Sequence, residues 1–258
     1  MFFYCIANRS ALLAISFTLS SLLMAEETTI KILVDNSYPP YMYGTQSKAE
    51  GLYPTLLREV IKQSDLNMTV HAIPWKRALA LSESSQVAVG GLYKNTLREM
   101  QYDFSDPIFT EYLWIYVKAN SDISFSGFDA LKGKNGAINL GWSYGQTFDH
   151  HKNSGIFSFE ENEDNLTNFK KLITLSRVDF AIVDGIAANQ ILLTHNYSDE
   201  VKKLEPEVAK NYAFIAIAKK YQQRETLEKF NRSLATIKNN GTYQTIIDQY
   251  IKPLAKSP

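Results

Sequence analysis

The sequence holds one cysteine, Cys5, and no excess of either charge: 27 lysines and arginines stand against 27 aspartates and glutamates. A lone cysteine near the start excludes a disulfide framework and a cysteine-built metal centre from the rest of the chain. The even balance offers no basic face to a nucleic-acid backbone, so no nucleic-acid partner is expected. Histidine is scarce too, with four in all. His150 and His151 are adjacent, and neighbours on a helix point to different sides; His71 and His195 lie far off in sequence. No metal site follows from that set. There is no Gly-x-Ser-x-Gly elbow, no P-loop and no dinucleotide glycine fingerprint. Nothing calls for a cofactor.

Long apolar runs are also rare. The longest spans Ala11 to Met24, interrupted only by small hydroxyl residues, and falls short of the roughly 20 residues that cross a bilayer. Arg9 precedes it, and Ala25 followed by Glu26 and Glu27 ends it. Residues 1–25 therefore read as a secretory signal cut after Ala25, with a retained anchor as the rival reading. Such a cut removes Cys5 and Arg9, leaving a mature chain without a thiol and with one net negative charge. Export as a soluble protein into an oxidising compartment is the simplest expectation.

What is present suits a globular body: 258 residues, 45% hydrophobic and 12% aromatic, enough for one large or two small domains. Strand patterns at Ile30–Val34, Met68–Ile73, Val87–Leu92 and Tyr112–Val117 alternate with helical ones at Leu52–Leu66 and Ala78–Leu81. A second cycle has strands at Gly136–Leu140, Phe180–Val183 and Tyr212–Ala218 and helices at Asn165–Leu175 and Ile186–Leu193. Two helices, Glu225–Lys238 and Tyr243–Tyr250, end the chain, separated by the helix-stop signal Asn239-Asn240-Gly241. This alternation predicts α/β architecture with mainly parallel sheets and a ligand at strand C-terminal ends.

Three ordered segments carry a resemblance: Asp35-Asn36-Ser37-Tyr38-Pro39-Pro40-Tyr41; Thr96-Leu97-Arg98-Glu99 with Asp103-Phe104-Ser105-Asp106-Pro107; and Val178-Asp179-Phe180-Ala181-Ile182-Val183-Asp184. Pro74-Trp75-Lys76-Arg77-Ala78, Leu131-Lys132-Gly133-Lys134 and Gly241-Thr242-Tyr243 fall in matching places. Together they resemble the family 3 solute-binding proteins, periplasmic receptors of polar amino-acid uptake. The resemblance implies a type 2 periplasmic binding fold: two α/β lobes, each a mainly parallel sheet flanked by helices, joined by two hinge crossings. Lobe 1 would comprise 27–116 plus 219–258 and lobe 2 117–218, with crossings near 116–120 and 217–220.

On that resemblance Arg98 holds a ligand carboxylate through two parallel hydrogen bonds; the plain alternative is a surface arginine paired with Glu99 or Asp103. Asp184 takes a ligand ammonium, or else caps the helix that starts near Ile186. Tyr38 and Trp75 form aromatic walls, or else belong to the lobe core. Asp35 joins the site, or is turn chemistry before two prolines. Gly91 also falls among the ligand-facing positions. Ser143, Tyr144 and Gly145 offer N–H groups and a hydroxyl to an anion at a helix start, or simply cap that helix. Two departures stand out. Tyr93, five residues before Arg98, replaces a small hydroxyl residue and intrudes on ligand space, and Glu83-Ser84-Ser85-Gln86 replaces Gly-x-x-Asp.

The function implied is a monomeric, non-enzymatic periplasmic receptor for an amino acid or small carboxylic acid, delivering it to the permease of an ABC transporter. Two alternatives remain open. One is a dehydratase-like enzyme on the same body, with Asp184 or Glu111 as its acid. The other is a ligand-sensing partner of a membrane signalling protein.

Overall fold

The structure, a computed structural model, describes residues 29–255. The expected signal and its cut lie outside the described residues. Strands β1 (Ile30–Asp35), β2 (Ser37–Tyr38), β3 (Met42–Thr45) and β4 (Lys48–Glu50) lead into helix α1 (Leu52–Lys62). Then come β5 (Met68–Ile73), α2 (Trp75–Ser84), β6 (Val87–Tyr93), α3 (Thr96–Gln101) and β7 (Tyr102–Phe104). A second cycle runs through β8 (Phe109–Lys118), β9 (Asn135–Asn139), α4 (Gln146–Ser154), β10 (Ser158–Asn162), α5 (Asn165–Ile173), β11 (Phe180–Asp184) and α6 (Gly185–His195). The long strand β12 (Val201–Ala218) returns, and α7 (Arg224–Asn239) and α8 (Thr242–Ala255) follow.

The main sheet has the order β10-β9-β11-β8-β12-β6-β1-β5, with β7 attached to β12. Its two ends are parallel: β1 lies between β5 and β6, and β9 between β10 and β11. Strands β8 and β12 run antiparallel between them. Leu113–Tyr116 of β8 pair with β11, while Ala213–Ile217 of β12 pair with β6. By strand pairing, the half built on β1, β5 and β6 and the half built on β9, β10 and β11 meet along β8 and β12, which pair with both.

Apolar burial places the helices. Helix α1 buries Leu52, Tyr53, Leu56, Leu57 and Val60 along one face, each fully buried aliphatic being worth about 1.5–3 kcal/mol. It seats closely because Gly90 in β6 has no side chain: a Cβ there would lie 3.1 Å from both Leu57 Cδ1 and Val34 Cγ1. Helix α7 buries Leu227, Phe230, Leu234 and Ile237 at helical spacing. The Phe104-Ser105-Asp106-Pro107 segment is a clip onto β12. The Ser105 N–H donates to Ile215 O at 2.9 Å, and its hydroxyl accepts from Ile215 N–H at 3.0 Å.

Candidate functional site

A cavity lies where the two halves meet. Tyr38, Trp75, Tyr93 and Trp142 supply aromatic surface, Met42 and Gly91 add apolar surface, and Arg98, Glu111 and Ser143 add polar groups. Trp142 and Ser143 come from the loop between β9 and α4 in the second half; Glu111 lies on β8 at the junction; the rest belong to the first half. This cavity is small, about 10 Å³, and its Arg98, Trp142 and Ser143 also border a larger one of about 340 Å³ shared with Asn95, Gln146 and Asp149.

Glu111 anchors one side. Three hydroxyls from the first half, Tyr38, Tyr53 and Tyr93, all donate to its carboxylate, Tyr93 at 2.5 Å from Oε2. Burial, aided by nearby Asp184, pushes this carboxyl up to about 8, while the three tyrosines pull it back. The same burial and the neighbouring carboxylate hold all three phenols well above their ordinary range, so they remain donors.

Arg98 and Trp75 form the opposite side. The Asn95 side chain caps α3 by accepting the Arg98 backbone N–H at 2.9 Å. The Arg98 guanidinium donates through Nη1 to Tyr93 O at 3.0 Å, which aims it at the cavity and leaves its other N–H groups for a ligand. Burial lowers its proton affinity and Asp149 opposes that. Trp75, at the first turn of α2, is 7% exposed, and its Nε1–H is buried without an acceptor among the described residues.

The structure gathers Tyr38, Trp75, Gly91, Tyr93, Arg98 and Ser143 around this cavity, whereas Asp35, Asp184, Tyr144 and Gly145 do not line it. Asp184 is the N-cap of α6, accepting from the Ile186 N–H at 2.8 Å and the Ala187 N–H at 3.1 Å. Its carboxylate also takes the Tyr41 hydroxyl at 2.6 Å and the Tyr112 N–H at 3.2 Å. Asp35 accepts the Ser37 N–H at 3.0 Å and the Trp142 indole N–H at 3.3 Å; burial raises its carboxyl to about 6. At the start of α4 the anion's place is taken by Asp149, which accepts the Ser143 hydroxyl and, at 3.2 Å, the Tyr144 N–H. The Tyr144 hydroxyl accepts the Asn139 N–H at 2.7 Å, and Gly145 faces Asn211.

Three lining residues were absent from the expected set. Trp142 sits inside the Gly-Trp-Ser-Tyr-Gly segment, and a large aromatic in a strand-to-helix loop was its available signal. Glu111 had appeared only as a possible catalytic acid; a single carboxylate in the apolar run from Phe109 to Val117 was the clue. Met42 carried none, since methionine fills cores everywhere.

The family model of the bacterial extracellular solute-binding proteins, family 3, matches residues 30–253. The L-cystine-binding protein TcyJ of Escherichia coli (strain K12) is 22% identical over 228 residues, covering 87% of this chain and 83% of that protein. The arginine-binding periplasmic protein of Mannheimia haemolytica is 25% identical over 233 residues, covering 85% of this chain and 90% of that protein. Among solved structures, a histidine kinase sensor domain with similarity to periplasmic binding proteins superposes with a TM-score of 0.75 at 18% identity, covering 86% of this chain and 96% of that one. The two-lobe α/β body has the fold of periplasmic binding proteins. With the family match spanning nearly all described residues, the chain belongs to the bacterial extracellular solute-binding proteins, family 3, and is a binding protein rather than an enzyme.

Proposed function

We infer that this chain is a periplasmic receptor that captures a small, carboxylate-bearing solute between its two halves and delivers it to the permease of an ABC-type importer. The observation that carries this reading is the Arg98 guanidinium lining a cavity that both halves complete. Its planar fork matches two carboxylate oxygens, and the surrounding rings exclude water and so strengthen that pair. Relatives whose names specify cystine and arginine as ligands support the small-solute class. Because the second half contributes Trp142 and Ser143, a ligand bound here touches both halves and favours their closure.

A thermal-shift screen of the chain from Glu26 onward, stripped of ligand, tests this with amino acids, small carboxylic acids, amines and short peptides. A ligand at 100 times its dissociation constant adds about 2.7 kcal/mol of stability, readily seen as a higher melting temperature. A carboxylate-bearing hit is the expected result. Stabilisation by amines alone overturns the reading.

A further inference from the structure

The acids around the cleft are already engaged, while two of its donors are not. Asp184 satisfies three backbone N–H groups and the Tyr41 hydroxyl and lies off the cavity. Asp35 is turned to Ser37 and Trp142. Asp149 holds Ser143 and the Tyr144 N–H. Among the described acids, Glu111 alone lines the cavity, and three phenols occupy it. Against this, Arg98 spends one N–H on Tyr93 O, and the Trp75 indole N–H, in a side chain more than nine-tenths buried against the cavity, has no acceptor among the described residues.

We propose that the ligand is a carboxylate without a protonated amine, its oxygens accepting from Arg98 and from the Trp75 indole N–H; this rests on the receptor reading above. A buried N–H without an acceptor is costly, and an arriving oxygen relieves that cost. An ammonium group meets the opposite situation. It must shed its water, it stands near the Arg98 charge, and the described carboxyl at the cavity, Glu111, already takes three phenols.

Calorimetry on the mature chain with matched pairs tests this: pyruvate against alanine, 2-oxoglutarate against glutamate, and phenylpyruvate against phenylalanine. Each pair differs at the amine-bearing carbon, so size and carboxylate are held nearly constant. In whichever pair binds, the oxo acid is expected to bind at least tenfold more tightly. The Trp75→Phe variant, which keeps a ring in place, is expected to lose about tenfold in affinity for that acid, with the ligand-free melting temperature within a few degrees of the parent. Tighter binding of the amino acid overturns the inference and leaves the receptor reading standing. An unchanged affinity in Trp75→Phe removes the indole from the site. Silence from every pair and from the wider carboxylate panel overturns both readings together.

Discussion

The indole N–H of Trp142 donates to Asp35 Oδ2 at 3.3 Å, tying the loop before α4 in the second half to the end of β1 in the first. Other bonds cross the same seam: the Ser37 hydroxyl to Glu163 O at 3.2 Å, the Tyr41 hydroxyl to Asp184, and Asn95 Nδ2 to Asp149 at 3.3 Å. Each is a single hydrogen bond, about 0.5–1.5 kcal/mol between neutral groups and up to about 3 kcal/mol to an ionised carboxylate, weak enough to reopen and numerous enough to define one closed geometry. Trp142→Phe removes one of them and keeps a ring at the cavity. The ligand-free variant is expected to show a larger radius of gyration in small-angle X-ray scattering, returning towards the parent value with ligand. Identical scattering from both free proteins would mean that this bond does not hold the closed form.

The buried carboxyls set the direction of the pH dependence. Glu111 at about 8 and Asp35 at about 6 both sit above their ordinary values of 4.5 and 3.8. The folded protein therefore keeps protons that the unfolded chain has already released. The stability they contribute is complete below about pH 4 and drains as pH rises, through about 6 for Asp35 and about 8 for Glu111. The melting temperature of the ligand-free protein is expected to fall from pH 5 to pH 8.5. Glu111→Gln flattens the upper part of that decline. Tyr93→Phe, which removes a donor favouring the ionised form, moves it to higher pH. A melting temperature that climbs across this window contradicts the assignment.

Asp184 acts on the fold. Asp184→Ala strands the N–H groups of Ile186 and Ala187 and the Tyr41 hydroxyl, and is expected to cost about 2 kcal/mol in denaturant unfolding. Asp184→Asn keeps a capping oxygen and costs less. Its affinity for a bound carboxylate should stay within about threefold of the parent, because the side chain does not line the cavity. A hundredfold loss in Asp184→Asn would put it in contact with the ligand.

Gly91 holds the cavity open at its apolar corner. Its φ of +86° disfavours any side chain, and a Cβ there would lie 2.9 Å from Met42 Cε. Gly91→Ala therefore both strains β6 and drives the Met42 side chain out of place. An unfolding cost of about 1–2 kcal/mol is expected, with a loss of ligand affinity greater than that of the neighbouring Gly90→Ala, whose Cβ meets core side chains instead. Equal binding by the two variants argues that Met42 has room to yield.

Periodicity made most of the framework legible. Met68–Ile73 was read to the residue as a strand, and the apolar face of α1 announced itself through Leu56, Leu57 and Val60. The first half of β12 was missed because Lys202, Lys203, Glu205, Pro206 and Glu207 look like a solvated loop; pairing with β8, not side-chain burial, makes it a strand. The short strands β2, β3 and β4 escaped for a similar reason, since each is too short to show alternation. Arg98, Tyr38, Trp75 and Tyr93 were named on the family resemblance, and all four line the cavity. The roles of the acids were not legible, because an aspartate that caps a helix and one that meets a ligand are spelled alike. Only geometry shows Asp184 turned to α6 and Glu111 turned to three tyrosines.

The central claim is that Arg98 holds a ligand carboxylate in the cavity between the halves, and isothermal titration of Arg98→Ala with the carboxylate found in the screen tests it most directly. Among the described residues the guanidinium makes one hydrogen bond, to Tyr93 O, so its removal should leave the ligand-free melting temperature within a few degrees of the parent. The account predicts a loss of affinity of roughly a hundredfold or more, in line with charge-assisted hydrogen bonds of about 1.5–3 kcal/mol each, two of which are lost. A folded Arg98→Ala protein that binds the same carboxylate as tightly as the parent contradicts it.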